Sequence, residues 1–128
     1  EQLVRGNDVA IISVGKMVQE VSKAIDLLNE MAIYPSHYDI RFIKPIDTFL
    51  LKSISENYKA LVVVEDGVVA GGTGSAIVEF LSTINTKLDV KCLGIEDVFV
   101  EHGSVSELYK EVGIDALSIS QVIQEFYS

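Results

Sequence analysis

The sequence predicts one α/β domain in which a mostly parallel sheet lies between two layers of helices. Its 128 residues are close to the commonest size of a single domain. Apolar segments with strand patterns alternate with segments of helical periodicity, in the order β-α-β-α-β-α-β-α-α, and the connections between them are short. Such alternation produces parallel strands linked by crossover helices, which gives a three-layer α/β/α architecture.

The first predicted strand and helix occupy the N-terminal quarter of the chain. Residues 8–14, with the sequence DVAIISV, are a nearly continuous apolar run that ends at Gly15. A run of this kind is typical of a strand that is buried on both faces. From residue 16 to 31 the period changes to that of a helix, and the apolar residues that share a face are Val18, Val21, Ile25 and Leu28.

A second strand is predicted at residues 38–43, where apolar and polar side chains alternate. Pro45 ends it, because proline cannot donate a hydrogen bond to the ladder. Asp47 is a suitable N-cap for the short helix that follows. The apolar face of that helix consists of Leu51, Ile54 and Tyr58.

The third strand, at residues 60–65 (ALVVVE), has the β-branched composition of a central strand. A glycine-rich turn at residues 71–75 separates it from a helix whose apolar residues are Ile77, Phe80, Leu81 and Ile84. A fourth strand is predicted at residues 90–95. The two final helices are predicted from capping boxes, in which two side chains three positions apart each accept a backbone N–H of the other residue. These pairs are Ser104 with Glu107 and Ser118 with Gln121.

Charge and composition exclude several classes of function. A net charge of −9 opposes binding to nucleic acid or to an anionic membrane. No segment approaches the ~20 apolar residues of a membrane span, and no signal peptide opens the sequence. The single cysteine, Cys92, lies in the apolar run 90–94 and is expected to be a buried free thiol, which agrees with a reducing, cytoplasmic location. Two distant histidines and this cysteine do not have the spacing of a zinc site.

The glycine-rich turn is a candidate binding site, because glycines between a strand and a helix let a phosphate reach the helix N-terminus. However, its sequence GGTGS fits neither of the nucleotide-binding patterns G-x-G-x-x-G and G-x-x-x-x-G-K-[ST]. The acidic pair Glu65 and Asp66 just before it would repel a phosphate. Ser75 also lacks the G-x-S-x-G context of a nucleophile. The residues expected to have a structural role in this turn are Gly71, Gly72, Gly74 and Ser75.

The acidic pair itself, followed by Gly67, is weakly similar to the start of a magnesium-binding Gly-Asp-Gly motif. The first glycine is absent and no Asn-Asn follows, whereas a hard cation needs several converging oxygen ligands. Glu65 and Asp66 are therefore predicted to lie at the end of a strand, either as a helix cap or as a contact between subunits.

The remaining polar candidates are loop residues. His102 is either a proton-transfer group or a structural hydrogen-bonding residue, and His37 is expected on the surface beside Pro35. The end of the second strand is flanked by Arg41, Lys44 and Asp47. Because the ends of parallel strands gather at the functional edge of such sheets, these three form either an ion-pair cluster or a contact with a partner. No assembled active site emerges.

Several segments resemble the C-terminal domain of transketolase-like enzymes. Residues 41–47 (RFIKPID) are similar to the R-F-x-K-P-[IL]-D element of that family. Residues 62–67 (VVVEDG) and 70–76 (AGGTGSA) are similar to its V-x-x-E-[DE]-G segment and the G-G-x-G-S-A that follows it.

The tail is similar to that of one branch of the family, the 1-deoxy-D-xylulose-5-phosphate synthases. The similar residues are 94–103 (GIEDVFVEHG), then Leu108, then 112–115 (VGID). Glu96 stands where that branch usually has proline, a change that should only loosen a turn. Transketolase and the pyruvate dehydrogenase beta subunit share the glycine-rich turn but not this tail.

The resemblance implies that residues 1–128 are one domain of a larger enzyme. Enzymes of that branch condense pyruvate with glyceraldehyde 3-phosphate, release carbon dioxide, and supply isoprenoid and thiamine biosynthesis. They use thiamine diphosphate and magnesium, which two preceding domains bind, so no catalytic, cofactor-binding or metal-binding residue is carried over to this chain. The fragment alone is expected to be inactive.

The resemblance also implies a five-stranded mixed sheet with one antiparallel edge, and a part in building a homodimer. Together with the preceding domains of the same chain, a second copy is thus the expected partner. The end of the sheet near the following residues is the expected self-association surface: Arg41, Lys44, Glu65, Asp66 and His102.

Two alternatives stay open. In the first, the chain is the C-terminal domain of a transketolase or of a 2-oxoacid dehydrogenase beta subunit. In the second, it is a stand-alone binding or regulatory module of the same fold. An upstream Gly-Asp-Gly…Asn-Asn motif would favour an enzyme, and a reading frame of its own would favour the module. The sequence begins at Glu1 without methionine, in a polar segment with a helix-like pattern, which favours a piece of a longer protein.

Overall fold

The computed structural model describes residues 2–4, 8–40, 47–65, 73–84, 86–94 and 115–127. The strands in them are β1 (Gln2–Val4), β2 (Val9–Val14), β3 (Ser36–Ile40), β4 (Ala60–Glu65) and β5 (Asp89–Gly94). The helices are α1 (Val18–Glu30), which a 3-10 turn at Gly15–Met17 precedes, α2 (Thr48–Asn57), α3 (Thr73–Ser82) and α4 (Ala116–Glu125). None of these helices is both long and apolar enough to cross a membrane.

The strands form one sheet in the order β1-β3-β2-β4-β5. Neighbouring strands among β2, β3, β4 and β5 are parallel, whereas β1 pairs with β3 in the antiparallel direction. The expectation of a five-stranded mixed sheet with an antiparallel edge is therefore confirmed. The predicted second strand begins two residues earlier than expected, at Ser36.

The edge strand β1 is the one that the residue pattern did not predict. Its segment has a helix-like polar pattern, and three residues are too few to show the alternation of a strand. Gln2 lies opposite Tyr38 and Val4 opposite His37, with a register irregularity between the two pairs. Pairing with β3, and not local propensity, therefore determines this conformation.

Each face of the sheet has its own hydrophobic core. Alternate residues of β2 pack into the two different cores, because successive side chains of a strand point to opposite faces of the sheet. One face is covered by α1 and α4, whose fully or nearly fully buried residues include Val21, Ile25, Leu28, Ile119 and Ile123. The other face is covered by α2 and α3 through Leu51, Ile54, Ile77 and Leu81. The predicted three layers are thus confirmed.

The predicted N-cap of α2 is confirmed. The Asp47 carboxylate accepts a hydrogen bond of 3.0 Å from the backbone N–H of Leu50. Tyr58 is the C-cap of this helix, and its hydroxyl donates to Ser36 Oγ at 2.6 Å. Since Ser36 begins β3, this bond fixes the end of α2 above that strand.

The predicted start of the last helix is wrong. Asp115 occupies the N-cap and the helix runs from Ala116, so Ser118 and Gln121 lie inside it and do not form a capping box. The predicted helix that follows Ser104 lies outside the described residues.

Candidate functional site

The candidate site lies where the four parallel strands end. These ends, at Val14, Ile40, Glu65 and Gly94, lie along one edge of the sheet, which we call the carboxyl edge. In open α/β sheets this edge is where ligands and partners bind. Helices α1, α2 and α3 each follow a strand that ends here, so their N-termini face it.

A carboxylate and a helix N-terminus meet at the centre of the carboxyl edge. Glu65, the last residue of β4, is only 9% exposed. Its Oε1 accepts a hydrogen bond of 2.8 Å from the backbone N–H of Gly74, the second residue of α3. The first N–H groups of a helix have no partner within the helix, and its dipole favours a negative charge at this end. Glu65 is therefore the cap of α3, one of the two roles that its position in the sequence allowed.

Gly74 is required by this contact. A Cβ atom at Gly74 would lie 2.8 Å from Glu65 Oε1 and 3.0 Å from Cys92 Sγ, closer than side-chain carbons pack. Gly94, opposite Glu65 in the neighbouring strand, is confined in the same way, because a Cβ there would lie 2.7 Å from the Glu65 carbonyl oxygen. The close packing around Gly74 thus explains why a glycine is required at this position. One of the N–H groups at this helix start that an anion would use, that of Gly74, is already bound to a carboxylate.

Cys92 is exposed, so the expectation that it is buried is wrong. It lies on β5, which pairs with one strand, β4, among the described residues. Partial burial of the thiol and the nearby Glu65 carboxylate both raise its pKa, in that order of size. Because the thiolate is the reactive form, Cys92 has the properties of a weak nucleophile.

A second carboxylate caps a second helix. Glu20 of α1 accepts a hydrogen bond of 3.0 Å at Oε2 from the backbone N–H of Ala116, the first residue of α4. Asp115, the N-cap of that helix, makes no side-chain capping bond itself. Lys23 lies 3.8 Å from the other oxygen of Glu20. No local pattern marks this contact, since its residues are 96 positions apart.

A buried polar cluster lies on the face of the sheet that α1 and α4 cover. His37 is fully buried, so the expectation that it lies on the surface is wrong. Its Nε2 lies 2.7 Å from Ser13 Oγ, and the Ser13 hydroxyl donates to Asp39 Oδ1 at 3.3 Å. Because β3 starts at Ser36, His37 and Asp39 are both inside the strand and point to the same face as Ser13.

This cluster does not have the geometry of a hydrolase triad. In such a triad the carboxylate holds Nδ1 of the histidine and the serine is accessible to substrate. Here Asp39 contacts the serine, and Nδ1 of His37 has no hydrogen-bond partner in the part of the chain that the structure describes. Ser13 is fully buried as well. Burial lowers the pKa of His37 more than Asp39 raises it, so the cluster favours a neutral imidazole.

Of the site residues predicted from the sequence, the structure brings together Glu65 and Gly74. Asp47 caps α2, and Ser75 lies in the first turn of α3. The other candidates lie outside the described residues: Arg41, Lys44, Asp66, Gly71, Gly72 and His102. Within the described ranges no three His, Cys, Asp or Glu side chains are placed to hold a metal ion. Sequence reasoning missed Glu20, Ser13 and the burial of His37.

Comparison with known proteins gives the family. The family described as "Transketolase, C-terminal domain" matches residues 1–119 of the chain. The chain belongs to the transketolase C-terminal domain family. The resemblance noted in the motifs at residues 41–47 and 70–76 is therefore confirmed.

Among curated proteins, this transketolase C-terminal domain is similar to two 1-deoxy-D-xylulose-5-phosphate synthases. That of Parabacteroides distasonis is 40% identical over 125 residues, which cover 98% of this chain and 20% of the relative. That of Cytophaga hutchinsonii is 44% identical over 119 residues, which cover 93% of this chain and 19% of the relative. The chain thus spans about a fifth of the length of the curated relatives it matches and corresponds to their C-terminal domain.

Solved structures share the fold of this transketolase C-terminal domain. A split-gene transketolase described as an inactive beta4 tetramer is 31% identical with a TM-score of 0.84, over 98% of this chain and 41% of that chain. A mutant transketolase from Pichia stipitis, 15% identical, has a TM-score of 0.67 over 98% of this chain and 17% of that chain. At 15% identity, the similarity to the Pichia stipitis enzyme shows a shared fold and nothing more.

Proposed function

We propose that this transketolase C-terminal domain belongs to a transferase that condenses pyruvate with glyceraldehyde 3-phosphate to 1-deoxy-D-xylulose 5-phosphate, with loss of carbon dioxide. The observation that supports this most is the 40% identity to a synthase of that name over 98% of the chain. The tail at residues 94–103, which resembles that of the same enzymes, adds to it. Such an enzyme would act in the cytoplasm and supply isoprenoid and thiamine biosynthesis.

The parent enzyme implies thiamine diphosphate and magnesium, but the described residues of this chain do not fit either group. A magnesium ion needs several converging oxygen ligands, and no such cluster occurs in the described ranges. The Gly74 N–H at the start of α3 is bound to Glu65, whose charge would repel a diphosphate. We assign both groups to the preceding domains and expect the chain alone to be inactive.

The role proposed for this domain is assembly of a homodimer. The split-gene transketolase supports this, because its chain, of which this domain covers 41%, is described as a tetramer that is inactive. The proposed contact is the carboxyl edge. Side chains of opposite charge beside apolar side chains would suit an isologous twofold contact, in which each group meets its complement on the second copy. Its proposed residues are Arg41, Lys44, Glu65, Asp66 and His102, with Val68, Val69 and Phe99 beside them.

An assay of the full-length polypeptide that contains this domain tests the proposed reaction. With thiamine diphosphate and magnesium, release of carbon dioxide from pyruvate should require glyceraldehyde 3-phosphate. If the protein instead transfers a two-carbon unit from a ketose phosphate and leaves pyruvate unchanged, it is a transketolase. The 31% identity to a split-gene transketolase makes this the second candidate.

A further inference from the structure

Phe49 is the most exposed large apolar side chain in the described residues, at 87%. It is the second residue of α2, between the exposed Thr48 and the half-buried Leu50. A phenylalanine that is left in water forgoes roughly 1.5–3 kcal/mol of burial free energy. An exposed aromatic ring at a helix start therefore suggests a surface that something else covers.

The position of α2 places Phe49 at one corner of the carboxyl edge. The far end of this helix is held on β3 by the bond from the Tyr58 hydroxyl to Ser36, the first residue of that strand. The helix therefore lies along β3 with its N-terminus towards the other end of the strand. Side chains of a first helical turn tilt towards the N-terminus, which directs Phe49 out over the carboxyl edge.

The direction of β1 brings the preceding polypeptide to the same corner. β1 is antiparallel to β3, so a chain that continues ahead of Gln2 approaches from the carboxyl edge. β1 is also the strand next to β3 in the sheet. The curated relatives are about five times as long as this chain, and the matching family is described as a C-terminal domain, so most of a relative's length precedes the segment that this chain matches.

From these relationships we propose that Phe49 is the anchor by which this domain docks onto the preceding domain of its own polypeptide. Leu50 and Ile40 are half-buried and pack against the core on the same face of the sheet. In the proposed contact, Phe49 enters an apolar pocket of that preceding domain. The proposal rests on the proposed function only in taking the chain as the C-terminal part of a longer enzyme. It concerns contact within one polypeptide, whereas the homodimer concerns contact between two.

Val78 provides a matched control. It is also an exposed apolar residue on a helix of the same layer, at 45%, but it is the sixth residue of α3, more than a turn away from the carboxyl edge. α3 follows β4 and leads to β5, the side of the sheet opposite to β1. Truncation of Val78 thus removes exposed apolar surface without touching the Phe49 corner.

The test compares Phe49→Ala with Val78→Ala in the full-length protein. Limited proteolysis measures how fast the C-terminal domain is released, and sedimentation velocity measures the mass of the assembly. Phe49→Ala should increase the release rate about tenfold, as expected for loss of a buried aromatic anchor, with the mass unchanged. Val78→Ala should leave both unchanged.

Three results would overturn the proposal. Release at the wild-type rate in Phe49→Ala would mean that no domain docks on this ring. Equal acceleration in both variants would mean a general loss of stability. A halved mass in Phe49→Ala alone would make a second copy the occupant. By contrast, a wild-type protein that is monomeric and still shows the accelerated release in Phe49→Ala would contradict the homodimer and support the docking contact.

Discussion

The backbone N–H of Gly74 donates a hydrogen bond of 2.8 Å to the carboxylate of Glu65, from the first turn of α3 to the end of β4. Two features that look separate in the sequence, an acidic strand end and a glycine-rich turn, are therefore one structural unit. The acid supplies the helix with its cap, and the glycine leaves room for the acid. This relationship explains why glutamate stands at position 65 and glycine at position 74 without a bound phosphate.

Replacement of Gly74 by alanine should lower the free energy of unfolding by about 1–3 kcal/mol, the range for overpacking a closely packed site. The reason is steric, since the new Cβ would lie 2.8 Å from Glu65 Oε1 and 3.0 Å from Cys92 Sγ. Urea unfolding measures the change. In a Cys92→Ala background the loss should be smaller, because one of the two clashing atoms is absent. Equal losses in both backgrounds would contradict this packing.

Replacement of Glu65 by glutamine tests the charge of the cap. Glutamine retains an oxygen acceptor for the Gly74 N–H but loses the interaction with the helix dipole, so we expect a loss of about 0.3–1 kcal/mol in unfolding free energy. Glu65→Ala removes the acceptor as well, leaves a buried N–H without a partner, and should cost about 1–3 kcal/mol. Chemical denaturation measures the unfolding free energy of both variants and of the wild type. Equal stability of the wild type and both variants would show that the bond does not contribute.

Local signals were sufficient for much of this fold. The continuous apolar runs predicted β2 and β4, because a strand that is buried on both faces has no polar alternation. Asp47 predicted the start of α2, since a side-chain cap acts over only three residues. Of the candidate site, the acidic strand end and the glycine turn were recognised, and a helix cap was one of the two roles predicted for Glu65, but Gly74 was not recognised as its partner.

The missed features depend on contacts between distant segments. The bond from Ala116 to Glu20 joins residues 96 positions apart, so no local pattern in the sequence reveals it. Ser118 and Gln121 have the local pattern of a capping box, and the helix start was therefore predicted there. β1 is a strand only because β3 lies beside it. His37 is buried because β3 begins at Ser36, and the sequence near Pro35 has the composition of a loop.

The buried His37 should make the stability of the domain sensitive to acid. Its folded-state pKa is lowered from the ordinary 6.5, mainly by burial, so below this pH the unfolded chain binds a proton that the folded chain does not. Stability should therefore be fully present above pH 6.5 and fall as the pH decreases towards the folded pKa, by at most about 1.4 kcal/mol per pH unit. His37→Asn removes this titration, and its stability should depend less on pH between 6.5 and 5. Identical slopes for both proteins would contradict the assignment.

The absence of cofactor chemistry is tested with the isolated chain. Calorimetric titration with thiamine diphosphate and magnesium should show no binding, because the Gly74 N–H is bound to Glu65 and an acidic protein of net charge −9 repels a diphosphate. The full-length protein is the positive control. Micromolar association with the 128-residue chain would mean that this domain carries part of the cofactor site.

Assembly is the central role proposed for this domain, and sedimentation velocity of the isolated chain over a concentration series tests it most directly. Charge reversal of Glu65 is unsuitable as a comparison, because it would break the cap of α3. Asp66→Lys avoids that bond. We expect a weak, reversible monomer–dimer equilibrium, since one domain buries little area compared with the ~1,000 Å² of a stable contact. Asp66→Lys should shift it towards monomer. A wild-type chain that remains strictly monomeric at the highest concentration would contradict the assembly role.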